Sequence, residues 1–163
     1  FAAWQMVEAQ WTSRHHGLAA FVSCQNEYSL LVRDAERELV PAMQAYGLGL
    51  LPYFPLASGL LSGKYKRGEP IAKGLRFDVM PQVRDRFLTD ANFTTVEGLE
   101  AFARARGRTM VELAFGWLAS RPTVASVIAG ATKPEQVEEN AAAVEWRLGA
   151  EDLVELDRIT GRA

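Results

Sequence analysis

Apolar and polar positions in this chain recur at helical spacing in some stretches and run almost unbroken in others. Trp4, Val7 and Trp11 share one helical face, and the pattern stops at His15-His16-Gly17, which predicts a first helix closed by a glycine. Leu18 to Ser23 is then almost continuously apolar, as for a strand covered on both faces, with polar Gln25-Asn26-Glu27-Tyr28 at its carboxyl end. Leu39, Val40 and Met43 predict a second helix over Arg33 to Tyr46, with Pro41 in its first turn and Gly47 beyond its end. The next stretch, Gly47 to Tyr65, reads as a buried strand running into a glycine-rich loop that carries a lone lysine, Lys64. Lys66 to Phe87 has no period and is punctuated by Gly68, Pro70, Gly74 and Pro81. A loop this long reads equally as a lid or clamp and as a solvated excursion.

Two scaffold helices follow. Val96, Leu99 and Ala103 form one stripe that ends at Gly107, and Thr109 with Glu112 is a capping-box pattern opening a helix lined by Val111, Ala114, Phe115 and Leu118. Arg121-Pro122 breaks that helix, and Val124 to Ile128 reads as another buried strand. Thr132 is placed to cap a helix starting near Lys133-Pro134, with Val137 and Ala141 turned inward, and Glu151 to Ile159 closes the chain with Leu153, Leu156 and Ile159 inward. Strands alternating with helices predict an α/β fold with about three parallel strands joined by right-handed crossovers.

The 163 residues suit one domain, and 48% hydrophobic with 23% charged residues is ordinary globular composition. A net charge of −2 with scattered cations gives no field for nucleic acid or an anionic membrane, and the apolar runs are too short to span a bilayer. The single cysteine, Cys24, excludes an internal disulfide and suits a reducing, cytoplasmic setting. It reads as a small buried hydrophobe. His15 and His16 are adjacent, so their side chains point about 100° apart on a helix, and no third ligand lies at suitable spacing; no metal is expected. The chain opens at Phe1 without a capping residue, which suggests a fragment of something longer.

Candidate chemistry sits where the strands end. Ligands of parallel α/β sheets gather at carboxyl ends, so Gln25 can present its amide to a ligand, or merely stabilise a loop. The glycine-rich loop before Lys64 can bring backbone N–H groups to a phosphate, or simply turn the chain beside a solvated lysine. Ala129-Gly130-Ala131-Thr132 leads from a strand into a helix N-terminus, a second place for an anion, with Lys133 to add charge.

Three stretches together resemble the C-terminal half of an aldo-keto reductase: Val22-Ser23-Cys24-Gln25-Asn26-Glu27-Tyr28-Ser29, the run Pro52 to Tyr65, and the run Val127 to Asn140. The resemblance covers nearly the whole chain and implies the second half of a (β/α)8 TIM barrel that holds a nicotinamide dinucleotide, usually NADPH, at its C-terminal face. It assigns Gln25 to the nicotinamide carboxamide and Tyr53 to stacking on the ring. Phe54 and Pro55 continue that cofactor-binding run, and Leu56, Ala57, Ser58 and Lys64 cradle the pyrophosphate. Arg76 is the basic residue of the loop that closes over the cofactor. Gly130, Thr132 and Lys133 fall at the adenosine 2′-phosphate end, while Gln136, Glu139 and Asn140 match contacts to the ribose phosphate and adenine. Many relatives have Ser where Phe54 stands, which removes a hydroxyl from the pyrophosphate, and others have Arg in place of Gln136, which leaves NADPH against NADH open.

The family's catalytic Asp, Tyr, Lys and His belong to the first half of the barrel, so no catalytic residue is assigned, and none of Tyr28, Tyr46, Tyr53 or Tyr65 matches the acid's place. The resemblance implies reduction of aldehydes or ketones with NADP(H), complete only with the other half. The alternative is a non-catalytic nucleotide-binding or regulatory module of the same fold, similar to channel-associated relatives. A third option is a decayed half barrel with no ligand. Three parallel strands alone leave bare edges and one uncovered face, so self-association through the open face is also expected.

Overall fold

The computed structural model describes residues 1–162. Helix α1 (Ala3–His15) leads to strand β1 (Ser23–Glu27), a 3-10 turn, helix α2 (Leu39–Tyr46) and strand β2 (Gly49–Tyr53). After a second 3-10 segment come two short helices, α3 (Arg76–Val79) and α4 (Pro81–Phe87), and then α5 (Asp90–Ala105), α6 (Met110–Ala119), α7 (Pro134–Ala143) and α8 (Ala150–Ile159). Strands β1 and β2 pair in parallel, with Ser23 opposite Gly49, Gln25 opposite Leu51 and Glu27 opposite Tyr53. The α/β class and the crossover through α2 are therefore as expected, and Gly47 ends α2 in the left-handed region at φ 71°.

The expected third strand is not formed: the sheet has two strands, and Val124 meets Leu50 only at an isolated bridge. Two bonds begin a ladder, Leu50 N–H to the Thr123 carbonyl and Ala125 N–H to the Leu50 carbonyl. The next donor on that edge belongs to Pro52, which has no N–H. The following bond to the Pro52 carbonyl comes from Ile128 rather than Val127, one residue late, so the segment bulges away from regular pairing.

Alternation along the strands puts Cys24, Asn26, Leu50 and Pro52 on one face and Ser23, Gln25, Glu27, Gly49, Leu51 and Tyr53 on the other. The first face carries the core. Leu50 is fully buried in a cluster with Met43, Leu48, Leu60, Leu113, Trp117 and Leu118. The α5 stripe Val96, Leu99 and Ala103 and the α8 stripe Leu153, Leu156 and Ile159 join this cluster, and the Thr109–Glu112 capping box opens α6.

Several sequence-based expectations are overturned around this core. Strand β1 starts at Ser23, not Leu18, and the apolar run before it is bare: Phe21 is 64% and Val22 80% exposed. No strand among the described residues pairs with the outer edge of β1, so nothing covers the run. On α1 the buried positions are Met6, Gln10 and Ser13, with Val7 half-buried, while Trp4 and Trp11 face outward. The glutamine is buried because its amide donates to the Phe21 carbonyl. On α7, Val137 and Ala141 are exposed and Ala143 is buried instead. Thr132 does not cap α7. Lys133 holds the N-cap position, and the Gln136 side-chain carbonyl reaches back to accept from the Thr132 N–H at 2.8 Å.

Candidate functional site

Gln25 and Tyr53 stand on the same open face of the sheet, because Gln25 is in register with Leu51 and Tyr53 lies two residues further along β2. Tyr53 ends its strand, and the chain then enters a turn with an unusual backbone. Phe54, Ala57 and Ser58 have φ of 54°, 46° and 58°, and Gly59 reaches 103°, a value that only glycine adopts without strain. Three non-glycine residues in the left-handed region within five positions mark a strained backbone that its surroundings must hold. Successive residues of this kind aim N–H groups into one concavity, which suits an anion.

The hydrogen-bond inventory of the turn supports that use. The N–H groups of Ala57 and Gly59 donate to the carbonyls of Phe54 and Leu56. Among the described residues, the N–H groups of Leu56 and Ser58 find no acceptor, and the buried Ser58 hydroxyl has no partner. A buried polar atom left unpaired costs free energy, so a cradle with orphan donors fits a ligand with acceptor oxygens. Lys64 is exposed and unpaired among the described residues, and its ammonium lies beside Gly59: a methyl group built on that glycine would sit 3.8 Å from Nζ.

The segment Lys66 to Phe87 is mostly exposed at its start, carries α3 and α4, and is tied down at both ends. Lys66 pairs with Glu100 at 2.7 Å, and Arg67 pairs with Asp90 and Glu97, so one end is fastened to α5. The other end is fastened through Arg86 to Glu27 at 2.9 Å. Between them Phe77 is fully buried, with the Tyr65 ring 4.5 Å away and the Phe87 ring at 6.3 Å. Arg76 emerges from this docked segment with its guanidinium 5.7 Å from the centre of the Phe54 ring.

The second group of expected residues lies along the bulged segment and α7. The Ile128 N–H bonds the Pro52 carbonyl, which sets residues 129–133 next to the turn after Tyr53. Leu56, Val127 and Ala129 share one small apolar cluster with Val111, Phe115 and Ala143. Gly130, Thr132, Lys133 and Glu139 are exposed, while Gln136 and Asn140 are half-buried. Asn140 lines an open cleft of about 530 Å3 with Phe115, Val127, Val144 and Arg147, and it alone of the expected residues lines that cleft.

Glu27 was not among the expected site residues. It ends β1 opposite Tyr53, holds Arg86, and keeps its Oε1 buried without a partner. Its place in the polar run after the strand was the available signal. Tyr28, the next residue, is committed elsewhere. Burial first, and then its hydrogen bond to Glu36 at 2.5 Å, pushes its phenol well above the ordinary range. Glu36 in turn takes a two-pronged bond from buried Arg33, which also reaches Asp157 at 2.8 Å. Burial alone would lower the Arg33 pKa, but these two carboxylates raise it.

Comparison with known proteins agrees with the sequence resemblance. The model of the aldo/keto reductase family matches residues 1–160. A probable voltage-gated potassium channel subunit beta of Oryza sativa subsp. japonica is 37% identical over 147 residues, covering 89% of this chain and 45% of that protein. A protein of the same description from Arabidopsis thaliana is 36% identical over 147 residues, with the same coverage. An L-glyceraldehyde 3-phosphate reductase of Escherichia coli O157:H7 is 33% identical over 138 residues, covering 82% of this chain and 40% of that protein. The chain spans about half the length of the curated relatives it matches. The family match over residues 1–160, with the left-handed turn that follows the parallel strand β2, places this chain in the aldo/keto reductase family.

Proposed function

We propose that this chain supplies the cofactor-holding part of an NADP(H)-dependent oxidoreductase that reduces aldehydes or ketones to alcohols in the cytoplasm. The observation that carries the reading is the left-handed turn 54–59, with orphan N–H groups at Leu56 and Ser58 and a buried, unpartnered Ser58 hydroxyl. A diphosphate has the acceptor oxygens those donors lack, and Lys64 and Arg76 bring the counter-charge. The chemistry that such a cofactor supplies when bound is hydride transfer to a carbonyl carbon.

On this reading the Gln25 amide, which both donates and accepts, holds a carboxamide, and the Tyr53 ring covers one face of a nicotinamide. Phe54, Pro55, Leu56, Ala57 and Ser58 form the wall of the diphosphate site. Gly130, Thr132 and Lys133 serve the 2′-phosphate end, and Gln136, Glu139 and Asn140 the ribose and adenine. Gln136 does so while bracing the Thr132 N–H. Tyr28 is not the proton donor, since burial and Glu36 hold its proton in place. The group that protonates the substrate oxygen then lies in the part of the relatives' length that these residues do not span.

A second reading has its own support: the channel beta subunits are more similar to this chain than the glyceraldehyde phosphate reductase is. In that case the same residues bind the nucleotide in a regulatory module without turnover. One pair of measurements separates the two, made on the protein at its full natural length. NADPH and NADH binding is followed by fluorescence quenching, and NADPH oxidation is then followed with a panel of aldehydes and ketones. Micromolar binding with turnover supports the reductase, binding without turnover supports the regulatory module, and no binding of either nucleotide overturns both.

A further inference from the structure

Phe54 is half in solvent, at 39% exposure, and its φ of 54° is a conformation that strains a non-glycine residue. Its ring packs nearly perpendicular to Tyr53, with centres 5.2 Å apart and an interplanar angle of 80°, and Arg76 places its guanidinium over the Phe54 ring at 5.7 Å. Four neighbouring cations are already paired. Lys66 is paired with Glu100, Arg67 with Asp90 and Glu97, Arg84 with Asp85 and Arg86 with Glu27. Arg76 pairs with no carboxylate among the described residues.

An aromatic face attracts a guanidinium without neutralising it, so a cation held this way keeps its full charge and its donors for another partner. Resting on the cradle reading above, we propose that Phe54 is a positioning residue that holds Arg76 over turn 54–59, so that Arg76 and Lys64 form two cationic arms for a diphosphate. A serine at position 54 would offer one hydroxyl donor. Phenylalanine instead recruits a forked cation from a segment that is fastened at both ends, and the forked geometry suits two oxygens at once.

A double-mutant cycle on the full-length protein tests this, with NADPH as the probe and thermal midpoints as the control for folding. Phe54→Ala and Arg76→Ala are each expected to weaken binding roughly three- to tenfold, the range of an exposed to partly desolvated cation–π contact. The double variant is expected to bind no more weakly than the weaker-binding single variant. Phe54→Tyr, which keeps the ring, is expected to bind as the parent does. Should Phe54→Ala fail to fold, Phe54→Leu keeps the bulk without the ring and carries the same expectation. Losses that simply multiply, or an unchanged affinity in the Phe54 variants, would overturn the positioning role while leaving the cradle intact. No NADPH binding by the parent protein would overturn the cradle and this inference together.

Discussion

Ser58 carries, at the scale of one residue, a stability cost that the proposed ligand would relieve. Its hydroxyl is buried without a partner on a left-handed backbone, so removing it relieves an unpaired polar group. Ser58→Ala is expected to raise stability by about 1 kcal/mol, read from the urea midpoint, while weakening NADPH binding in the same preparation. Tyr28 gives a pH signature with a defined sign. Its folded pKa lies above its ordinary 10.0, first through burial and then through Glu36, so the protonated phenol stabilises the folded chain fully below pH 10.0. That contribution declines as pH rises beyond this point. Urea unfolding at stepped alkaline pH should therefore show stability falling above pH 10.0, with a flatter fall in Tyr28→Phe. Phe54 and Ser58 could be named from the run Pro52 to Tyr65, but their left-handed geometry could not, because nothing in the type of a Phe or a Ser favours a positive φ.

At the scale of elements, local chemistry predicted what local chemistry controls. The Thr109–Glu112 box was legible because each side chain satisfies a backbone N–H three residues away, and both bonds are present at 3.1 and 2.8 Å. Thr109→Ala is expected to cost about 1 kcal/mol, measured by thermal or urea unfolding, with little change in nucleotide affinity because the Thr109 hydroxyl bonds only the Glu112 N–H of its own helix. The start of α7 shows the limit of the same logic. Thr132 has the right residue type for a cap, yet Gln136 reaches back to it and leaves Lys133 at the N-cap, a choice made by a longer side chain with two carbonyl-accepting routes to one loop. The strand over Val124 to Ile128 was predicted from its apolar run. Its pairing failed because of one missing N–H on Pro52, a donor on a different strand that no inspection of the run itself reveals.

At the scale of the whole molecule, the sheet has one packed face and one open face, and the apolar residues beside its free edge are uncovered. Phe21 and Val22 before β1, with Trp4 and Trp11 on α1, expose apolar surface next to unpaired strand groups, a combination that favours association. The 163-residue chain by itself is expected to sediment as species heavier than 18.0 kDa at tens of micromolar. Val22→Lys should shift it toward the monomer, and a single 18.0 kDa species at every concentration would show that the face is stable in water. The sequence by itself determined the α/β class, the helices with their stripes and caps, and the family, because periodicity, capping and motif order are properties of near neighbours. Only the tertiary structure decided which face of α1 is buried, where β1 begins, that the third strand stays incomplete, and that Arg76 rests on Phe54. Each of those depends on groups far apart in the chain competing for the same donor, edge or apolar surface, and that competition is settled only when the chain is folded.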